Sequence, residues 1–529
     1  MSKNRLRDEV HYGERVVRAY AERPASIDAM FRASVAAHGG RIALVEGARA
    51  ITYDELDRIV DRLAAGLAGE GLKQGERIAL LLGNRAEFVF TVLAAARLGA
   101  IVVPINIRHR LGENEFVLAQ CEASMLVHEA DQAENIPSPA ALPALRRRFS
   151  CGGDVPGALP FGRLLAAAAK PPAARVAEDD CFCILYTSGT TGRPKGAMLT
   201  HFGCIHSCLH FQYGMEMRDG DSTILAVPAS HVTGLVAIIL TMLRVGGTVV
   251  LMQAFRARAY LELAQAARIT HALMVPAMYN LCLLDPEFDR FDLSSWRVGG
   301  YGGAPMPEAT IAVLAEKLPG LTLVNAYGAT ETTSPATMMP LGEGLAHADS
   351  VGRTVPCGEI RIMDAEGREL PPGEPGEIWI AGPMVVPGYW DNPEANRANF
   401  LAGYWKSGDI GSKDAQGYVR VFDRLKDMIN RGGYKIFSAE LENELAHHPG
   451  ILECAVVGRP DPVLGEKVQA FILRKDPALT VEAVRAFCAA RVSDYKVPDH
   501  VTFIDEPLPR NPNGKVIKNE LRRRIVDTV

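Results

Sequence analysis

Between Tyr186 and Gly196 the chain reads YTSGTTGRPKG, with glycines at 189, 192 and 196, hydroxyls on Thr187, Ser188, Thr190 and Thr191, and cations at Arg193 and Lys195. Residues of these types at this spacing suit a phosphate cradle. Glycines let the backbone approach a polyanion, hydroxyls donate hydrogen bonds, and the cations supply opposite charge. Against the nucleotide loop G-x-x-x-x-G-K-[ST] the segment is a near miss. Gly189 has the right distance to Lys195, but Pro194 takes the place of the second glycine and Gly196 that of the magnesium-holding hydroxyl. A flexible linker has a similar Gly, Ser and Thr content. The apolar run from Cys181 to Leu185 predicts a buried strand feeding directly into the loop.

The elements around this loop alternate in type. ITYDEL leads into an amphipathic helix expected over Leu56 to Leu72, RIALLLGN is a buried strand, and EFVFTVLAAARLGA is a helix closed by Gly99. Such alternation implies a largely parallel, layered sheet. Residues Asp131 to Ala174 are rich in Ala, Pro and Arg with weak periodicity and read as a surface connection. VGGYGGAP and LTLVNAYGATE are strand-like runs ending in glycine-rich turns, where open α/β sheets place ligands. Beyond Gly352 the strands shorten, and from Lys426 to Val529 a compact segment of about a hundred residues is long enough to fold alone. The expected organisation is α/β: a large N-terminal domain of several subdomains over 1–425, with layered sheets and helices, and a small mobile α+β domain over 426–529.

With 529 residues, the chain is too long for one core, and 48% of it is hydrophobic. A formal net charge of -5 leaves no electrostatic footprint for nucleic acid. The first twenty residues are charged and lack the apolar stretch of a signal peptide, so a cytoplasmic location is expected. Val232 to Met252 is apolar but interrupted by Arg244, Gly246 and Gly247, which implies a buried helix and strand instead of a membrane span. Ten scattered cysteines without a CxxC pair are expected to be reduced. His201, Cys204, His206, Cys208 and His210 could share helix faces as metal ligands, but no second ligand pair accompanies them, so a helix lining core or pocket is the competing reading.

Several further segments occur in a fixed order: PASHVTG (228–234), YGGAP (301–305), NAYGATE (325–331), GEIWIAGPMVVPGYW (376–390), YWKSGD (404–409), DRLKDMINRGGYKI (423–436) and PRNPNGK (509–515). Together with the glycine loop they resemble the acyl-adenylate-forming superfamily of acyl-CoA synthetases, peptide-synthetase adenylation domains and luciferases, and in particular its acyl-CoA synthetase branch. The resemblance spans nearly the whole chain. It implies an acid–thiol ligase that joins a carboxylic acid to ATP as acyl-AMP, releases pyrophosphate, and passes the acyl group to CoA.

That chemistry brings two anions together, so cations must be aimed at the transferring phosphoryl group. One charge pair at about 4 Å contributes roughly 4 kcal/mol at an effective dielectric near 20. By resemblance Lys515 is the catalytic lysine of adenylation, and Glu331 is the magnesium ligand, since a hard cation takes carboxylate oxygen. Glu331 could equally be an acid at a helix start. The resemblance assigns Thr187, Ser188, Gly189, Thr190, Thr191 and Lys195 to the phosphates; Gly302, Gly303, Ala304, Pro305, Tyr327, Gly328 and Thr330 to the nucleoside; and Asp409 with Arg424 to the ribose. His231 corresponds to a gate between acyl pocket and thiol channel, although Ser230 replaces the usual aromatic before it. Lys426 corresponds to the hinge. Gly432 and Gly433 would line the CoA channel, or form a plain turn between strands.

The corresponding acyl pocket comprises His210, Val232, Thr233, Leu273, Gly302, Ala326, Gly328, Thr333 and Ser334. It has no lysine or arginine to pair with a second substrate carboxylate, so the expected substrate is a medium-sized monocarboxylic acid, aliphatic or aromatic. The expected partners are this acid, ATP with Mg2+, and CoA, with no nucleic acid, no integral membrane segment, and a homodimer as the assembly. A carrier-protein thiol is the alternative acceptor. A luciferase-like oxygenase and a non-enzymatic nucleotide sensor are further readings, and the sensor would have no use for Lys515.

Overall fold

In the computed structural model, which describes residues 5–167, 170–187, 193–304, 306–510 and 516–526, the apolar run at Cys181 extends to Thr187 and pairs antiparallel with Lys195–Thr200. These two strands edge a seven-stranded sheet that continues through Ile101–Pro104, Arg77–Leu81, Met125–Glu129, Arg147–Cys151 and Leu159–Pro160. Beyond the first pair the neighbours are parallel, as helix-connected strands must be. The last two strands lie inside the segment expected to be a plain connection. They are short, and Arg147 and Arg148 interrupt the apolar pattern that would have revealed them.

Local chemistry explains the neighbouring helices. The helix expected from Leu56 runs instead over Tyr53–Gly69, because Thr52 and Glu55 form a reciprocal capping box that starts it a turn earlier. Ala86–Leu98 is buried on all sides except at Glu87, as its nearly unbroken apolar sequence requires. It ends at Gly99, whose φ of +64° is the left-handed stop that glycine favours.

Besides the two-stranded hairpin Leu6–His11 with Arg15–Tyr20, two more sheets belong to the larger body. One is ordered Ser222–Leu225, Thr248–Leu251, Ile42–Glu46, Arg49–Thr52. The other is ordered His271–Met274, Val298–Tyr301, Thr322–Tyr327, Thr337–Met338, Arg353–Thr354, its first three strands parallel. Between Val232 and Met252 a π-helical stretch, Thr233–Leu240, continues into Thr241–Val245 and then the strand Thr248–Leu251. Among the described residues no helix is long and apolar enough to cross a membrane.

The chain divides into two compact units, Met1–Ile360 with Ile380–Lys406 and Gly417–Val419, and Arg361–Trp379 with Ser407–Gln416 and Arg420–Val529. The strands Glu359–Met363, Gly376–Ala381, Tyr404–Lys413 and Val419–Arg424 contribute residues to both. In the second unit, Ile451–Asp461 and Gly465–Arg474 pair antiparallel. Val456, Val468, Ala470 and Ile472 pack under the helices Ser438–Ala446 and Val481–Ala489. Alternate residues Ala455, Val457 and Phe471 pack under Leu521 and Ile525 of the helix Lys518–Val526. The strand period of two thus places apolar side chains on both faces of this sheet.

Candidate active site

Thr187 and Lys195 face each other as strand partners at the mouth of the glycine-rich connection, where Thr187 Oγ1 donates to the Lys195 carbonyl at 3.4 Å. Ser188, Gly189, Thr190 and Thr191, with Gly192, lie outside the described residues. The edge of Lys195–Thr200 is covered by Gly388–Trp390: Met198 N–H donates to Gly388 O at 3.1 Å and Trp390 N–H to Gly196 O at 2.7 Å. This pairing fixes Tyr389, which carries two groups at once. Lys195 Nζ sits 5.2 Å from its ring centroid, and its hydroxyl donates to Glu331 Oε1 at 3.0 Å. Glu331 is buried, in the turn Thr330–Thr332, and its carbonyl accepts from Val386 N–H at 2.9 Å. A lysine cation and a buried carboxylate are thus tied to one aromatic ring.

The parallel strands Val298–Tyr301 and Thr322–Tyr327 end together and carry the other glycine turns. A Cβ on Gly302 would lie 2.4 Å from the Ala326 carbonyl, so only glycine allows this approach. Gly303 has φ +78° and is exposed, as is Ala304, whereas Tyr327, Gly328 and Thr330 are half-buried. Pro305 lies outside the described residues.

His231 is half-buried just before the π-helical stretch, with Nε2 3.5 Å from Asn106 Nδ2. Asn84, which sequence reading missed, holds its loop. This buried side chain sits past the strand Arg77–Leu81, with Nδ2 at 3.1, 3.0 and 2.9 Å from the carbonyls of Leu225, Val227 and Met252, while Oδ1 accepts from Ala229 N–H at 2.8 Å. Asparagine is required because the site needs donors and an acceptor without charge. Replacing it by leucine leaves several buried backbone groups unpaired, each costing about 1–3 kcal/mol. Asn84→Leu is therefore expected to lower unfolding stability by about 3 kcal/mol or more in a urea titration. A change within about 0.5 kcal/mol, typical of an ordinary surface site, would refute the clamp.

Of the residues expected to line an acyl pocket, His210, Val232, Leu273, Ala326 and Thr333 are buried, whereas Thr233 and Ser334 are half-buried. Thr333 and Ser334 have φ of +49° and +34°. Non-glycine residues held in this region are strained, and such strain concentrates at ligand sites. The histidines and cysteines after the loop all lie on the helix His201–Gly214, and only its core-facing chemistry is evident. His201 Nδ1 accepts from Ile27 N–H at 3.2 Å, and His206 Nε2 accepts from Tyr20 N–H at 3.1 Å. All ten cysteines are free thiols.

In the second unit, Asp409 is buried and its Oδ1 accepts from Arg424 Nε at 2.7 Å. Ser407 orients the pair, its Oγ accepting from Asp409 N–H at 3.0 Å and its carbonyl from Arg424 at 3.3 Å. Lys426 follows in an exposed turn whose carbonyl accepts from Arg522 at 3.2 Å, while Arg522 also pairs with Asp427 at 2.7 Å. Partial desolvation lowers the Lys426 pKa, and Arg424, Arg522 and Lys518 push in the same direction against Asp427. Gly432 and Gly433, at φ +60° and +92°, form the two-residue turn between Ile429–Arg431 and Tyr434–Ile436, a conformation that matches strand twist. Lys515 lies outside the described residues.

The donor set suits a magnesium ion bound with phosphates, which needs one or two protein carboxylates and oxygen ligands from substrate. Tyr389 orients Glu331 through Oε1, and a carboxylate has a second oxygen that could take a cation. The metal-like grouping among the described residues, Glu9, His11 and Glu178, does not fit, because Arg23 already neutralises it. Its guanidinium pairs with Glu9 at 2.7 Å and Glu178 at 2.6 Å. Tyr389 was within a quoted motif, but its link between Lys195 and Glu331 depends on strand pairing distant in sequence.

Residues 31–390 match the family described as AMP-binding enzyme, and residues 440–515 match the AMP-binding enzyme C-terminal domain. The chain is similar to a feruloyl-CoA synthase of Amycolatopsis sp, 38% identical over 91% of this chain and 95% of that protein. It is also similar to a long-chain-fatty-acid–CoA ligase of Mycobacterium tuberculosis, 35% identical over 90% and 94%. In structure it resembles the o-succinylbenzoate coenzyme A synthetase of Bacillus subtilis in complex with ATP and magnesium ion, with a TM-score of 0.83 and 28% identity over 93% and 98% of the two chains.

Proposed function

We propose that this chain, which belongs to the AMP-binding enzyme family, activates a medium-sized monocarboxylic acid, aliphatic or aromatic, and transfers it to CoA. It is an AMP-forming acid–CoA ligase, with ATP, Mg2+ and CoA as its reaction partners. The observation that carries the reading is Tyr389 holding Lys195 and Glu331 together, because phosphoryl transfer needs a cation for the phosphates and a carboxylate for their metal.

In the first half-reaction a carboxylate oxygen of the acid attacks the α-phosphorus of ATP and pyrophosphate leaves. Lys195 and Thr187, with Ser188, Gly189, Thr190 and Thr191, hold the β- and γ-phosphates. Glu331 would hold Mg2+, which when bound would offset charge on these phosphates. Gly302, Gly303, Ala304 and Pro305 form the strip against adenine, with Tyr327 stacked on it beside Gly328 and Thr330. Asp409 accepts the ribose hydroxyls, and its bond to Arg424 supports that orientation. Lys515 contacts both anions as the bond forms.

In the second half-reaction the CoA thiol attacks the acyl carbonyl, its proton is lost, and AMP leaves. His231 gates the thiol path, Gly432 and Gly433 line it, and Lys426 is the hinge between the half-reactions. The domain boundary follows that hinge, with 1–425 as the large domain and 426–529 as the small one. The free thiols support a reducing, cytoplasmic setting, and the assembly proposed is a homodimer. Sedimentation showing monomer alone would remove the homodimer without affecting the reaction.

The acceptor is tested by adding CoA or a phosphopantetheinylated carrier protein to enzyme preloaded with acyl-AMP. Thioester on CoA is expected, and thioester on the carrier alone would transfer the activity to the alternative reading.

A further inference from the structure

Tyr389 bridges antiparallel to Ala197 at the edge of the strand Lys195–Thr200. In such a pairing the backbone groups of successive residues point to opposite sides. Met198 N–H donates to the Gly388 carbonyl and Trp390 N–H to the Gly196 carbonyl, so the N–H and carbonyl of Tyr389 itself point away from that strand. Among the described residues no strand pairs with this outer side. The side chain of Asn396 takes its place. Tyr389 N–H donates to Asn396 Oδ1 at 2.6 Å, and Asn396 Nδ2 donates to the Tyr389 carbonyl at 3.1 Å.

Tyr389 is buried, and buried backbone groups need partners. One amide meets both of them, as a neighbouring strand would. A carboxylate in its place would accept from the N–H but leave the carbonyl without a donor, and a lysine would do the reverse.

Local structure presents this amide. Asn396 lies in the helix Pro393–Asn399, which Asn392 caps by accepting from Ala395 N–H at 3.0 Å. Asn396 N–H donates to the Asn392 carbonyl at 3.0 Å. Gly388 leaves room for the side chain, since a Cβ there would lie 2.8 Å from Asn396 Oδ1. Just past the helix, Phe400 packs edge-on against the Tyr389 ring, with centroids 5.5 Å apart. Asn396 thus fixes the backbone of the residue whose ring faces Lys195 and whose hydroxyl donates to Glu331 Oε1.

We propose that Asn396 is a positioning residue for adenylation: its amide sets Tyr389, and the tyrosine hydroxyl in turn sets the Glu331 carboxylate for the metal bound with ATP. This rests on the AMP-forming ligase reading, in which Glu331 holds that metal. Removing a group that orients a metal ligand typically lowers metal affinity by about 10- to 100-fold.

The test measures Mn2+, which takes the same kinds of oxygen ligand as magnesium, binding to the complex of enzyme and a non-hydrolysable ATP analogue. Electron paramagnetic resonance reads the bound ion, with enzyme in excess over analogue. The comparison covers the wild type, Asn396→Ala, Tyr389→Phe and the double variant. Gly388→Ala, which displaces the amide while keeping Asn396, is measured alone and with Tyr389→Phe. Asn396→Ala and Tyr389→Phe are each expected to weaken Mn2+ binding by about tenfold. Because Asn396 acts through the tyrosine hydroxyl, the double variant should bind no more weakly than either parent, whereas independent effects would multiply to about a hundredfold. Gly388→Ala should reproduce Asn396→Ala in both backgrounds, and it carries the comparison if Asn396→Ala fails to fold. Unchanged Mn2+ binding on loss of the amide, or losses that multiply in the double variant, would overturn the proposal and leave the ligase intact. A wild-type complex that binds no Mn2+ would instead overturn the reading of Glu331 beneath it.

Discussion

Lys515→Ala is expected to reduce acyl-AMP formation by about 10²- to 10³-fold, the usual consequence of removing one group aimed at charge developing in a transition state. The reason is electrostatic. The attacking carboxylate and the α-phosphate are both anionic, and a cation at about 4 Å contributes roughly 4 kcal/mol at an effective dielectric near 20. The decrease should appear in kcat, because the interaction matures only as the new bond forms. Nucleotide affinity and the conversion of chemically supplied acyl-AMP to thioester should be largely retained. Single-turnover measurement of pyrophosphate release separates the two half-reactions. Unchanged adenylation would remove Lys515 from the mechanism.

Acid is expected to destabilise the larger unit from a pH above that at which ordinary carboxylates titrate. His201, His206 and His210 are buried. Burial pushes the first down to about 4 and the second to about 3, and holds the third well below its ordinary value. In His201 and His206 a ring nitrogen accepts a backbone N–H, so protonation would set two donors against each other. Because the folded pKa values are depressed, the unfolded chain binds more protons below the ordinary histidine value near 6.5. Stability is complete above that pH and declines as pH falls toward the folded values. His201 and His206 each contribute a loss of about 1.4 kcal/mol per pH unit in this window, together several kcal/mol and a large part of an ordinary domain's stability, and His210 acts in the same direction. His128 and His271, also shifted downward mainly by burial, add in the same sense. Urea unfolding between pH 7.5 and 5 should show the midpoint falling steeply below about 6. A flat profile would contradict the neutral, buried assignment.

Much of the framework around the candidate site was legible because it uses residue types that are rarely clustered otherwise. Cys181 to Leu185 followed by glycines implied a strand ending in a phosphate loop, and the strand extends to Thr187 with Lys195 as its partner. Glycine turns after Tyr301 and Tyr327 implied ligand-bearing strand ends, and those strands are adjacent and parallel. Asn84 was not legible, since its role arises from backbone groups of Leu225, Val227, Ala229 and Met252 converging from two other strands and a loop. Nor was the wall supplied by the N-terminal hairpin, Leu6–His11 with Arg15–Tyr20. Its charged residues concealed the alternation that buries Val17 and Ala19, with Tyr20 packed beside His206 and His210. The spacing of the histidines established a shared helix, while only packing separates the satisfied His206 from the orphaned His210.

The central claim is the formation of a mixed anhydride between an acid and AMP. The direct measurement incubates the enzyme with ATP, Mg2+ and a panel of carboxylic acids without CoA, identifies bound products by mass spectrometry, and then adds CoA. The account predicts acyl-AMP and pyrophosphate that depend on the acid, followed by stoichiometric acyl-CoA and AMP. Formation of ADP and phosphate, or ATP cleavage indifferent to every acid, would contradict it.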